Sequence, residues 1–194
     1  MASGRGRAHT GVVSVEISAL IVPVPELDPV VGPHRRALDS GAVLGVPAHI
    51  TILYPFMPTA ALGPSVLAEL RHLFAVIDAF EISLASIDWF AREVVFIRPE
   101  PDDALRQMTT LVAERWPHWP PYEGAHPDPT PHLTIGDNGD DIAMTKAAHA
   151  VGESLPIDVE VSEVQLYTGS LEPGSWQRRS TFPLRRPTGR PRHQ

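Results

Sequence analysis

"PAHITILYPF", Pro47 to Phe56, places a histidine two positions before a threonine inside an otherwise apolar run. The run has the β-branched content of a buried strand and is stopped by Pro55. Side chains alternate along a strand, so residues two apart share a face at roughly 6–7 Å. His49 and Thr51 therefore point one way, and Ile50 and Ile52 point into the core. The phrase returns 83 residues later in "PHLTIGD", Pro131 to Asp137, as His132-Leu133-Thr134-Ile135. Two copies of one polar pair on apolar strands suggest a site built from both.

The elements around these strands follow from periodicity. Val12 to Val22 is β-branched and apolar and reads as a strand bounded by Pro23 and Pro25. Pro29 to Ser40 reads as a helix, with Asp28 as its cap and Pro29 in its first turn. Ala60 to Ile77 carries apolar residues at spacings of three and four and predicts an amphipathic helix. Phe80 to Phe90 and Glu93 to Arg98 read as two strands joined near Ala91. Asp102 to Trp116 repeats the helical pattern. A proline-rich loop follows, "WPHWPPYEGAHPDPTPH", whose prolines forbid a helix and predict a semi-rigid wall. After the second motif come a helix over Asp141 to Gly152 and closing strands over Ile157 to Tyr167 and Arg178 to Leu184. Each half thus holds a strand, a helix and a His-x-Thr strand, the element order of a duplicated α+β lobe. Residues 1–10 and 186–194 are rich in Gly, Arg or Pro and are expected to be mobile, flanking a single domain over residues 11–185.

Composition removes several function classes. A chain of 194 residues holds one substantial core, or one domain of two similar lobes. Its formal net charge of −7 is no footprint for extended duplex nucleic acid, although it leaves nucleotides open. The chain has no cysteine, which excludes disulfides, thiolate metal sites and a cysteine nucleophile. No apolar run approaches the ~20 residues that span a bilayer. "VVSVEISALIVPVP" is interrupted by Glu16 and two serines and reads as a strand, not a signal peptide. A cytoplasmic monomer without membrane contacts is expected.

Two imidazoles and two hydroxyls suit phosphodiester chemistry. One histidine takes a proton from the attacking oxygen and the other gives one to the leaving oxygen. The reference pKa of histidine, ~6.5, fits both tasks near neutral pH. The threonine hydroxyls can donate to the non-bridging phosphate oxygens, where charge builds in the transition state. This scheme needs no metal and no cofactor.

These residues carry a family resemblance. The sequence resembles the 2H phosphoesterase superfamily, named for two His-x-Thr/Ser motifs, and in particular its 2′-5′ RNA ligase-like branch. "HITILYPF" is similar to that branch's first motif, including the Pro-Phe ending, and "PHLTI" to the second. "VVFIRPEP", Val94 to Pro101, and "PPYEG", Pro120 to Gly124, also resemble bacterial members. The resemblance covers roughly Val12 to Leu184. It implies a bilobal, pseudo-symmetric α+β fold, with two antiparallel-rich sheets lining a central cleft and helices outside. It implies that His49 and His132 are catalytic and that Thr51 and Thr134 bind phosphate. It implies cyclic phosphodiester hydrolysis, 3′-5′ or 2′-5′ phosphodiester cleavage, or reversible 2′-5′ ligation. The expected partner is a small nucleotide or short RNA end. The alternative is a nucleotide- or RNA-end-binding protein with little or no turnover. Some RNA-processing members carry an arginine shortly after the second motif; here the positions are Gly136, Asp137 and Asn138.

Other residues are weighed against plainer roles. Thr51 and Thr134 also suit a strand simply as threonines. Tyr54, Arg98, Tyr122 and Trp176 are further candidates for substrate contact. For each there is an ordinary alternative: core or cleft wall for Tyr54, a solvated strand end for Arg98, and loop or strand packing for Tyr122 and Trp176. His118 and His126 flank the proline-rich loop, but no His-x-x-x-His helix or carboxylate cluster accompanies them to make a metal site.

Overall fold

The computed structural model describes residues 16–186, apart from Pro127. The expected N-terminal tail 1–10 lies outside them, as does the tail 186–194 beyond Arg186. Among the described residues eight strands alternate with five helices: β1 (Ile17–Pro23), α1 (Asp28–Leu38), α2 (Ser40–Leu44), β2 (His49–Leu53), α3 (Pro64–Ala75), β3 (Phe80–Phe90), β4 (Val94–Glu100), α4 (Asp103–Arg115), β5 (Leu133–Gly136), α5 (Asp141–Gly152), β6 (Ile157–Val161), β7 (Glu163–Gly169) and β8 (Gln177–Pro183).

The strands form one antiparallel sheet in the order β6-β3-β4-β5-β2-β1-β7-β8. The α+β class and the symmetric layout hold, since each His-x-Thr strand is central and three strands lie outside it on either side. The two expected sheets are continuous, however. They join where β2 meets β5, through the pair Ile50–Leu133.

Strand alternation sorts the two faces. Ile50, Ile52, Leu133 and Ile135 belong to one large core with residues of α1, α3, α4 and α5, such as Val31, Phe74, Met108 and Val151. The opposite face carries His49, Thr51, His132 and Thr134, all half-buried, and a smaller cluster of Ala19, Ile21 and Trp176. Four helices thus cover one face of the sheet and leave the motif face free of them. Complete burial of either large phenylalanine, Phe74 or Phe96, is worth on the order of 2–3 kcal/mol, and both are fully buried.

Several boundaries differ from expectation for local reasons. Asp28 does not cap α1 from outside. A 3₁₀ turn over Pro25–Leu27 runs straight into the helix, so Asp28 is already its first residue. Its carboxylate instead accepts from the Ala48 N–H at 3.4 Å. The helix expected from Ala60 starts only at Pro64, because Gly63 is extended (φ −77°, ψ 171°) as a residue before proline prefers. The single strand expected over Ile157 to Tyr167 is two strands at opposite ends of the sheet. β6 pairs with β3 and β7 pairs with β1. The buried positions change phase between them, from Val159 and Val161 to Val164 and Leu166.

Candidate active site

β2 and β5 run antiparallel with Ile50 opposite Leu133. Continuing that register sets His49 against Thr134 and Thr51 against His132. Opposed residues in such a pair lie about 5 Å apart and diagonal ones about 7–8 Å. The histidines therefore occupy one diagonal of a four-residue square and the threonines the other. The repeated phrase has this consequence only because the two strands are direct neighbours.

Both rings are held in the same way. His49 Nδ1 donates to the Pro47 carbonyl at 2.7 Å, and His132 Nδ1 donates to the Thr130 carbonyl at 2.8 Å. A carbonyl only accepts, so each Nδ1 carries a proton and each Nε2 keeps its lone pair in the neutral ring. Each motif thus extends two residues upstream, to the carbonyl that fixes the tautomer.

The rings differ in their electrostatic surroundings. Burial lowers the His49 pKa from 6.5 to about 4, and the positive charge of Arg35 adds to this. The Pro47 carbonyl works in the opposite direction, and His132 adds a further lowering. Burial also lowers the pKa of His132, opposed by the Thr130 carbonyl. Arg35 lies on α1 and is almost fully buried, 3% exposed. Its Nε donates to Asp39 Oδ2 at 2.6 Å and its Nη2 to the Val46 carbonyl at 3.3 Å. Asp39 Oδ1 accepts from the Gly41 N–H at 2.8 Å. Burial raises the Asp39 pKa, and Arg35 and Gly41 pull it partly back. This pair ties α1 to the segment leading into His49, and the sequence reading missed it. The i,i+4 spacing of Arg35 and Asp39 was the available signal.

Two phenylalanines flank His132. Phe90 meets its ring edge-on at 5.0 Å and Phe96 lies 5.3 Å away. Phe90 and Phe96 stack on each other at 4.2 Å and 26°. A cavity of about 500 Å³ opens beside them, lined by Phe90, Glu93, Tyr122, His126, Thr130 and His132 among others. Of the four further candidates, Tyr122 alone lines it. The Tyr122 ring meets His126 at 5.5 Å, and its N–H donates to the Tyr54 carbonyl at 2.7 Å.

The other three are engaged elsewhere. Tyr54 packs on Trp176 at 5.9 Å. Trp176 is buried over Gly169, where an added Cβ would stand 2.5 Å from its ring, and its Nε1 donates to the Ser170 carbonyl at 2.9 Å. That leaves it no free polar edge for a ligand. Arg98 is ion-paired with Asp88 on β3. Asp137, in the position after the second motif, turns toward α2. It accepts from the Ser40 N–H at 2.8 Å and from the Ser40 hydroxyl at 2.5 Å. Gly136 beside it has no room for a side chain, since a Cβ would lie 2.9 Å from that of Leu38. Among the described residues no group of three or more His, Asp or Glu side chains converges to hold a metal ion. No helix among them is long and apolar enough to cross a membrane.

The family model of the 2′-5′ RNA ligase superfamily matches residues 23–171, a span that holds both His-x-Thr strands. The chain belongs to this superfamily. A protein of Halalkalibacterium halodurans named "Putative phosphoesterase BH1439" is 25% identical over 181 residues, covering 84% of this chain and 94% of the relative. Among solved structures, E. coli LigT in its apo form is similar with a TM-score of 0.58 at 17% identity, covering 89% of this chain and 99% of LigT. TT0787 of Thermus thermophilus also gives a TM-score of 0.58, at 18% identity over 88% of this chain and 99% of that protein. LigT has been solved with 3′-AMP, and that structure gives a TM-score of 0.57. The family and these folds identify the chain as 2H phosphoesterase-like.

Proposed function

We propose that this chain is a metal-independent phosphodiesterase acting on 2′,3′-cyclic or 2′-5′-linked nucleotides or short RNA ends. The observation that carries the reading is the pair of rings on one diagonal, each with Nδ1 tied to a carbonyl and Nε2 free. His49, neutral because burial and Arg35 oppose its protonation, is the general base. His132, which has no cation set against it among the described residues, is the general acid once a bound phosphate monoanion raises its pKa. Thr51 and Thr134 bind the phosphate from the other diagonal.

For a cyclic substrate, His49 Nε2 takes a proton from water as the water oxygen bonds to phosphorus. One ring P–O bond breaks, and His132 Nε2 gives its proton to the departing ribose oxygen. The product is a nucleoside phosphomonoester. His49 is then protonated and His132 neutral, and exchange with solvent restores the starting state. The hydroxyls of Thr51 and Thr134 donate to the non-bridging oxygens as charge grows there.

Product formation from nucleoside 2′,3′-cyclic phosphates, followed by ³¹P NMR with EDTA present, tests the reading. Turnover that survives the chelator agrees with it. Turnover lost in EDTA and restored by one divalent ion contradicts it. Binding without product in either condition makes the chain a nucleotide-binding protein instead.

A further inference from the structure

We propose that the cavity beside His132 is the nucleobase subsite of the phosphodiesterase read above, and that Glu93 selects guanine there. The inference rests on that reading for the position of the phosphate. A phosphate held at His132 Nε2 puts the attached nucleoside within one ribose of the cavity that His132 itself lines.

Phe90 provides the platform. One face of its ring is covered by Phe96, yet the residue remains 37% exposed and lines the cavity. An aromatic ring fixed on one side and open on the other is built to take a stacked base. The T-shaped pair of Tyr122 and His126 stands in the same lining.

Charge decides what is stacked. Among the described residues no Lys or Arg lines the cavity, and two carboxylates do, Glu93 and Asp128. A second phosphate is therefore disfavoured and a neutral group with hydrogen-bond donors favoured. Asp128 is held by Arg106 at 2.8 Å. The Glu93 carboxylate has no ion pair or side-chain hydrogen bond among the described residues, which leaves both of its oxygens for a ligand. Guanine presents N1–H and the 2-amino group side by side, a match for two carboxylate oxygens. Adenine and cytosine offer one amino group each. Uracil sets a single N–H between two carbonyls, which the carboxylate repels.

Two tight turns frame the cavity. Four non-glycine residues among those described have positive φ: Ala91, Arg92, Tyr122 and Glu123. They form two turns, and Ala91 and Tyr122 line this cavity. The first is the tight turn of the β3–β4 hairpin, closed by the Glu93 N–H donating to the Phe90 carbonyl at 2.8 Å.

The test is kcat/KM for the four nucleoside 2′,3′-cyclic phosphates on the native chain, Glu93→Gln and Phe90→Leu. The native chain should favour guanine over uracil by roughly ten-fold or more, the scale of one good bidentate contact. Glu93→Gln should bring that ratio close to one, and Phe90→Leu should raise KM for all four. Equal rates for all four bases, unaltered by Glu93→Gln, overturn the subsite and leave the phosphodiesterase reading standing. If none of the four is turned over, the cyclic-substrate part of that reading fails and calorimetry with guanosine and uridine 3′-monophosphates decides the subsite. Tighter guanosine binding that Glu93→Gln abolishes supports it, and equal binding overturns it.

Discussion

Removing Arg35 tests both the packing and the electrostatics of the first motif. Arg35 and Asp39 are 3% and 5% exposed and share a 2.6 Å ion pair. Deleting one member of a buried pair costs roughly 3–5 kcal/mol, because the other is left buried and unmatched. Arg35→Met should fall in that range. Asp39→Leu should cost about 1 kcal/mol more, since Asp39 also caps α2 through the Gly41 N–H. The double variant replaces the pair by apolar groups and loses only the cap, so it should be more stable than either single variant. Urea unfolding at low temperature measures all three. The two single variants should also move the acid limb of kcat/KM in opposite directions. Arg35→Met removes a charge that lowers the His49 pKa, so the limb should rise from near pH 4. Asp39→Leu leaves that charge unpaired, so the limb should fall. A double variant as unstable as the two singles combined, or limbs that move the same way, would refute the reasoning.

Other outcomes follow from the same geometry. kcat/KM should be bell-shaped with its maximum below pH 6.5, because the base is lowered to about 4 and the pKa of the acid is lowered too; the alkaline limb of kcat should lie higher, since bound phosphate raises His132. A maximum above pH 7 in kcat/KM contradicts the assignment. The unfolded His49 binds a proton between pH 6.5 and about 4 that the folded one refuses, so stability present above pH 6.5 is lost as pH falls through this window. The loss is at most about 3 kcal/mol, and His49→Gln should shrink it in urea titrations. Thr51→Val and Thr134→Val keep strand shape and should lower kcat more than substrate affinity; unchanged kcat in both makes them mere strand formers. Asp137→Ala should cost about 1 kcal/mol through the lost contacts to Ser40 and leave kcat/KM alone, whereas lost activity at full stability would place Asp137 in the site.

Local rules made the motif strands legible. His49, Thr51, His132 and Thr134 could be assigned to one kind of face because alternation in a strand is fixed, and Gly63-Pro64 and the phase change after Val161 carried signals of the same kind. What could not be read was partnership across the chain. The β2–β5 pairing that merges two sheets into one joins Ile50 to Leu133, and nothing local to either specifies it. The same holds for Arg35, whose effect on His49 exists only once α1 has packed beside β2. Phe90 and Phe96 read as ordinary strand aromatics until β4 is set beside β5, with Phe96 opposite Thr134. Trp176 invited a ligand role as an isolated tryptophan, and its packing over Gly169 shows that it serves instead to cover the sheet beside Ala19 and Ile21.

The central claim is that His49 and His132 act as one acid–base pair on a single phosphate. Single-turnover rates on a nucleoside 2′,3′-cyclic phosphate for His49→Ala, His132→Ala and the double variant test it most directly, with circular dichroism confirming the fold. Each single substitution should slow the chemical step by ~10²-fold or more. The double should be little slower than the worse single, because groups that act as a unit are not additive. Folded variants that lack both imidazoles and still turn over substrate at the native rate would contradict the account.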